Sequence, residues 1–352
     1  MRVRIIDFSG FYFNDRFIIK EICVCKIIDY RNGYVRPVMH ITKSPVPNLE
    51  GENIVFYQSF KEINGIEWNT GSYSIDVLRR RILYVFQRGI KIFVKNDIKA
   101  EQLMNFIGRE DYKPDTLSDL GFNENSVMRS SHCRYHNTNQ QFSYCARDNA
   151  MKMVRWFLRM NNIMYFIIHF NGYYSDENEF TLKEVSIYGL DANELVLYNN
   201  LFVAKPPNNL NNYSSDIIEN YNRNIYEKYG IEWTKGCYEP SHLKTKVINI
   251  VKTAINIKYI FVKNKIYKNE LERIIGHSYN ILCLDEFNYI ESLPLSTSCF
   301  YHTHEDISSN KCVGDQANDM MNWIVRMKYY KIDNIETRIR FNKILQRLRQ
   351  FD

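Results

Sequence analysis

The sequence predicts an α/β fold in two tandem copies, each a mixed sheet that opens with a β-hairpin and is flanked by helices. Three observations carry this. The first is self-similarity. Ile5-Ile6-Asp7-Phe8-Ser9-Gly10-Phe11-Tyr12 reads against Ile167-Ile168-His169-Phe170-Asn171-Gly172-Tyr173-Tyr174, and Gly65-Ile66-Glu67-Trp68 recurs unchanged as Gly230-Ile231-Glu232-Trp233. The second is a steady offset: 162 from Gly10 to Gly172 and 168 from Val94 to Val262, with the matches in one order along the chain. The third is the pattern inside each copy, where runs of β-branched and aromatic residues give way to helical spacing.

The copies span residues 1–160 and 163–330, with a tail at 331–352. In the first copy, strand-like runs at 3–13 and 16–28 flank the polar pair Asn14-Asp15, a hairpin signature. Residues 34–41 supply a third strand. Ile75, Leu78, Ile82, Val85 and Phe86 recur at helical spacing over 74–88. A short strand, Ile90 to Val94, precedes a helix near 98–107, and a helix near 146–159 with Met153, Trp156 and Phe157 closes the copy. The stretches 43–57, with Pro45 and Pro47, and 204–224, rich in Asn and Pro, read as loops. A hairpin followed by alternating helix and strand is the order of an RNase H-like domain, and other α/β orders fit the same pattern.

Composition narrows the class. A chain of 352 residues with 45% hydrophobic and 24% charged residues is globular in character and long enough for two cores. Gly 14 and Pro 8 are low, against a mosaic of small modules on flexible linkers. No run approaches the roughly 18–20 apolar residues of a membrane span, so no membrane partner is expected. Asp7 interrupts the opening apolar run before it reaches signal-peptide length. The 8 cysteines are therefore expected to be reduced thiols or metal ligands in cytoplasm or nucleus. A net charge of +6 permits nucleic acid as a partner without requiring it. The 26 Tyr and 21 Phe follow a general bias toward Asn, Ile, Lys, Tyr and Phe and carry no functional argument.

The chemistry concentrates in Cys133-x2-His136-x8-Cys145, echoed by Cys299-x2-His302-x9-Cys312. Two thiolates and an imidazole suit zinc, which takes four tetrahedral N, S or O ligands. The alternative is core thiols beside a hydrogen-bonded histidine. His304 is a second candidate for the place of His302. For the fourth ligand the sequence offers Glu21 and Glu184, in Lys-Glu-Ile and Lys-Glu-Val, each amid apolar neighbours. A buried carboxylate is expensive unless something holds its charge. The alternative is a strand-edge glutamate facing water. Closed four-ligand zinc has no position for water, so two structural zinc ions per chain are expected.

This Glu…Cys…His…Cys order, with Asp-Phe-Ser-Gly-Phe and then Lys-Glu in the opening hairpin, resembles the Maelstrom domain. That is an RNase H-like variant from a protein of the animal piRNA silencing pathway. The resemblance implies one site of Glu21, Cys133, His136 and Cys145, and another of Glu184, Cys299, His302 and Cys312. It implies single-stranded RNA as a partner, RNA silencing or transposon control as the setting, and protein partners in a silencing complex. It departs from the family in having two copies and no high-mobility-group box. The two-metal nucleases of the wider fold need Asp-x-Glu on the first strand plus two further aspartates. Here Asp7 is followed by Ser9, and the second copy has His169 and Asn171. A non-catalytic, RNA-binding protein is therefore expected. Two other readings stand: a ribonuclease for single-stranded RNA that does not use the zinc site, and an interaction scaffold encoded by a virus or mobile element.

Arg79-Arg80-Arg81, matched only by Lys244 and Lys246, forms a basic cluster that can contact phosphates or simply be solvated. The tail places Arg338, Arg340, Lys343, Arg347 and Arg349 among Ile339, Phe341, Ile344, Leu345 and Leu348. That is a basic amphipathic helix with RNA, a partner groove or its own domain as its target. Trp68 and Trp233 are read as core residues under the following helix rather than as base-stacking platforms.

Overall fold

A computed structural model describes residues 2–13, 16–29, 34–43, 52–67, 70–86, 89–109, 113–122, 145–174, 180–206, 215–221, 223, 231–232, 234–291 and 312–329. The chain divides into two compact units, Met1–Leu158 and Arg159–Asp352.

In the first unit, β1 (Arg2–Phe13), β2 (Arg16–Asp29) and β3 (Tyr34–Ile41) precede α1 (Glu52–Asn64) and α2 (Ile75–Val85). Then come β4 (Ile90–Val94), α3 (Asp97–Ile107), the two-residue β5 (Asp115–Thr116) and α4 (Ala146–Asn161). The sheet order is β3-β2-β1-β4-β5, antiparallel through β1, β2 and β3 and parallel from β1 through β4 to β5. The second unit repeats it. β6 (Tyr165–Tyr174), β7 (Phe180–Leu190), β8 (Val196–Val203), β9 (Tyr259–Val262) and β10 (Ile281–Cys283) pair as β8-β7-β6-β9-β10 with the same directions. Its helices are α5 (Ser215–Tyr221), α6 (Pro240–Thr253), α7 (Lys265–Ile275) and α8 (Val313–Tyr329).

Both faces of each sheet must be covered, because the central strands carry apolar residues on both sides. In the first unit Ile6, Phe8, Ile22 and Val24 pack with Leu78 of α2 and Leu103 of α3. The opposite face sets Val3, Ile5, Cys23 and Cys25 against Ala146, Ala150 and Phe157 of α4. In the second unit α8 covers the matching face through Ala317, Met320 and Ile324. Local signals agree with the helix starts. Asn96 and Asn264 cap α3 and α7 by accepting the Lys99 and Ile266 backbone N–H groups at 3.0 Å each.

Two loop readings need correction. Helix α1 begins inside 43–57 and α5 lies inside 204–224. Their local propensity is modest, and tertiary packing decides. Tyr57 and Phe60 of α1 bury against Phe11, with rings 6.0 and 5.5 Å away, while Tyr57 and Tyr221 donate their hydroxyls to Ile66 O (3.0 Å) and Ile231 O (2.9 Å).

Candidate metal centres and the buried polar slot

The geometry that positions the candidate site begins with a bulge that comes at the same place in both units. Ser9 pairs with Glu21 but Gly10 pairs with Ile19, leaving Lys20 as the extra residue of β2. Asn171 pairs with Glu184 and Gly172 with Leu182, leaving Lys183 extra in β7. A bulge breaks the strand's alternation and re-aims side chains, so a lysine and the next glutamate are both buried. The glycine is required. A Cβ at Gly10 would stand 2.0 Å from Ile18 O, and one at Gly172 would stand 2.2 Å from Thr181 O.

Lys20 donates through Nζ to Thr42 O at 2.7 Å and Thr70 O at 2.6 Å. Lys183 does the same to Ala204 O at 2.7 Å and Lys235 O at 2.6 Å. Burial pulls both ammonium groups down to about 8. Each lysine thus ties the bulge to the loop that ends in Gly71 or Gly236, whose φ values of 136° and 132° suit glycine.

Glu21 and Glu184 are fully buried, at 0% exposure, on the second of five strands. The strand-edge, water-facing alternative is therefore overturned: a neighbour pairs on each side of the strand and a helix covers the face. Glu21 Oε2 accepts Ser9 Oγ at 3.0 Å and the Ala146 backbone N–H at 3.1 Å, the latter at the positive end of α4. Cys145 Sγ stands 3.7 Å from Glu21 Oε1. Glu184 Oε2 accepts Asn171 Nδ2 at 3.0 Å, and Cys312 is buried directly before α8. Thus the first unit brings together Glu21 and Cys145 of its expected four. Cys133, His136, Cys299 and His302 lie outside the described residues, as do His304, Trp68, Trp233, Arg338, Arg340, Lys343 and the rest of the tail. Among the described residues, no group of three His, Cys, Asp or Glu side chains is placed to hold a metal ion.

The first-strand position differs between units. Asp7 is buried in the middle of β1, and Lys99 Nζ lies 3.9 Å away. Burial raises its pKa above the usual carboxylate range, against the pull of Lys99, Lys95, the Phe8 backbone N–H and Asn149. Lys99 also donates to Phe8 O and sits over the Phe8 ring, 4.3 Å from its centroid. In the second unit the slot holds His169, hydrogen-bonded through Nε2 to Gln316 Oε1 and 4.7 Å from the Tyr267 ring. Burial, helped by Lys263, pushes the imidazole down to about 3. The sequence comparison singled out Asp7 and His169 but not their partners, which come from helices distant in the chain.

The arginine cluster has local tasks. Arg79 Nε donates to Phe106 O at 2.7 Å, tying α2 to the end of α3. Arg81 lies 4.5 Å from the Tyr73 ring centroid. Its counterpart Lys246 is buried between Phe202 and Tyr238, 5.3 and 5.0 Å from their centroids. Arg80 and Lys244 are exposed.

No family model matches the chain, and no curated protein matches it. Among solved structures, a full-length 3'-exonuclease aligns at 12% identity, covering 45% of this chain and 80% of its own, with a TM-score of 0.32. A 3'-exonuclease solved for 3'-end-specific recognition of a histone mRNA stem-loop aligns at 13%, covering 56% and 93%, also with 0.32. Exonuclease I of E. coli with a bound oligonucleotide aligns at 13%, covering 54% of each chain, with 0.29. Likenesses at such identities and scores assign no function. The residues of this chain define a mixed α/β protein of two units, each with a buried glutamate on its second strand, which in the first unit lies under the start of α4.

Proposed function

We propose that this chain is a zinc-stapled, nucleic-acid-binding protein built from two Maelstrom-like copies of an RNase H-like domain, with single-stranded RNA as ligand and RNA silencing or transposon control as setting. One observation carries the metal reading: a fully buried glutamate meets a buried cysteine at 3.7 Å. An oxygen and a sulfur bound to one tetrahedral zinc lie about 3.5 Å apart, given bonds of about 2.0 and 2.3 Å. Glu21 and Cys145 would hold the ion in the first copy with Cys133 and His136, and Glu184 and Cys312 in the second with Cys299 and His302. The ion would neutralise a carboxylate and a thiolate and pin the last helix to the central strands.

The strand order, hairpin first and then parallel strands, supports the RNase H-like reading. The first-strand residues support a non-catalytic one. Asp7 faces Lys99 and Asn149, and Ser9 is engaged with Glu21, so the Asp-x-Glu pair of a two-metal nuclease has no counterpart there. RNA as ligand comes from the family resemblance and the net charge of +6.

The test is elemental analysis of protein purified without added metal or chelator, followed by RNA binding across a salt series. Two zinc ions per chain and salt-weakened binding of single-stranded RNA are expected. Absence of zinc would sink the stapled reading, and absence of RNA binding would leave an interaction scaffold. RNA cleavage that persists under chelation would instead favour a ribonuclease that does not use the zinc site.

A further inference from the structure

We propose that the first unit holds the phosphate backbone of single-stranded RNA on an open part of its sheet, along the cation row Arg4, Lys26 and Arg36. The proposal deepens the RNA reading above and rests on it. The row follows from strand register. Arg4 of β1 stands opposite Lys26 of β2, and Lys26 stands opposite Arg36 of β3. Residues opposite one another share a face of the sheet. This is the face of Ile6 and Val24, two positions along from Arg4 and Lys26, which pack with α2 and α3. The helices stop short of the row: Lys26 and Arg36 are exposed and Arg4 is partly buried. Glu21 and Cys145 lie on the other face, toward α4.

Like charges directly opposite one another destabilise a sheet. Among the described side chains the three cations are not ion-paired: the lysines that are, Lys61, Lys91, Lys99 and Lys113, lie elsewhere in the unit. Arg4 donates from Nη1 to Val85 O at 2.8 Å, which fixes the guanidinium at the end of α2 without neutralising it, and Arg2 adds a further positive charge beside it. A cation on an edge strand discourages edge pairing, but Arg4 and Lys26 are on interior strands. The second unit fills the same register with Phe166, Gly189 and Tyr198, both rings buried. Ile163 packs so closely there that a Cβ on Gly189 would stand 2.6 Å from its Cδ1. One copy therefore closes this part of the sheet with apolar groups, and the other leaves it open and charged. Arginine forks and lysine ammonium groups match phosphate oxygens. Tyr34, 61% exposed, shares the face with Arg36, and Tyr84, 71% exposed on α2, stands beside Arg4. Such rings give bases a stacking surface, which favours a nucleic acid over an acidic peptide.

The test is fluorescence anisotropy of full-length protein with a labelled single-stranded RNA across a salt series, and with labelled polyglutamate as a second probe. The double variant Lys26→Gln, Arg36→Gln removes two exposed cations and leaves the core and the Arg4 hydrogen bond in place. Single strands give a log–log salt slope of about 0.7 per phosphate contact, so the slope should become shallower by about 1.4 and affinity at about 0.1 M salt should fall roughly 25-fold. The control Lys252→Gln, Lys258→Gln removes the same charge from exposed positions of the second unit and should leave both quantities unchanged. Tyr84→Ala should weaken binding by roughly tenfold with no change of slope. RNA binding that responds equally to the two double variants, or to neither, overturns the proposal while leaving the RNA reading intact. Protein that binds no RNA overturns both, and polyglutamate binding lost in the row variant would then assign the row to an acidic protein.

Discussion

Acidification should destabilise the second unit through His169 while the first unit responds through Asp7 with the opposite sign. His169 is fully buried and its pKa falls from 6.5 to about 3. In the unfolded chain it titrates at its ordinary value. Between those two values the unfolded state holds one proton more than the folded state, so folding stability falls as pH falls. With 1.36 kcal/mol per pH unit, the loss from this one side chain is about 2 kcal/mol by pH 5, and about 4–5 kcal/mol below the folded value. A typical domain has only about 5–15 kcal/mol. Asp7 works the other way. Burial raises its pKa, so the folded state holds the extra proton between the ordinary value of 3.8 and the raised one. Stability there increases as pH falls.

Hydrogen exchange with mass-spectrometric readout separates the units, because peptides from β1 and β6 report each one independently. Opening free energies for β6 and β7 should drop by about 2 kcal/mol between pH 7 and pH 5. In His169→Asn the absolute stability changes, but that slope should vanish, since asparagine does not titrate. An unchanged slope in His169→Asn would refute the assignment of the acid response to this residue. An equal drop in β1 and β6 would refute the opposed-sign argument.

Three further outcomes are expected. Gly10→Ala and Gly172→Ala should each destabilise their own unit by about 1–3 kcal/mol or more, because the added methyl meets a ladder carbonyl that cannot retreat; denaturant midpoints check this. Lys20→Met should cost about 1–3 kcal/mol by leaving Thr42 O and Thr70 O without their ammonium donor, with exchange rising first near Gly71. Lys246→Ala should cost more than Arg81→Ala: a cation held between two rings and out of water is worth about 2 kcal/mol, and one at an exposed ring about 0.5–1 kcal/mol, as thermal unfolding of the two variants can compare.

The strands and helices with strong periodicity were legible from sequence because burial and periodicity coincide there. The run Ile90 to Val94 is nearly all apolar and sits between two parallel neighbours. Helix α1 was not, since Ile54-Val55-Phe56-Tyr57 has no polar face and only Tyr57 and Phe60 of its aromatic residues reach the core. The bulge was half legible. Gly10 and Gly172 inside strand patterns are its signal, and the matching Lys-Glu pairs mark its place, but a sequence does not say which residue is the extra one. Glu21 and Cys145, 124 residues apart, meet in the structure, and the sequence pairs them only through their recurrence in both copies and the family resemblance.

What the two copies keep and what they change bears on chemistry. The buried first-strand slot holds an acid facing Lys99 in one unit and a neutral imidazole paired with Gln316 in the other. Each is only part-satisfied, since Asp7 Oδ1 and His169 Nδ1 are buried with no hydrogen-bond partner among the described residues, so the slot keeps a buried polar side chain without fixing its identity. The bulge behaves differently. Glycine, lysine and glutamate recur with the same register, the same pair of carbonyl acceptors for the lysine and a polar donor on the glutamate, from Ser9 or from Asn171. A side chain needed only as a buried hydrogen-bond acceptor, for Ser9, Ala146 and Cys145 in the first unit and for Asn171 in the second, could be a neutral glutamine at lower desolvation cost. A carboxylate that also balances a cation, as the proposed zinc reading requires, could not be replaced in this way. Glu21→Gln separates the cases: with a metal the first unit should lose its zinc and much of its stability, and without one it should be nearly as stable as the parent or more so.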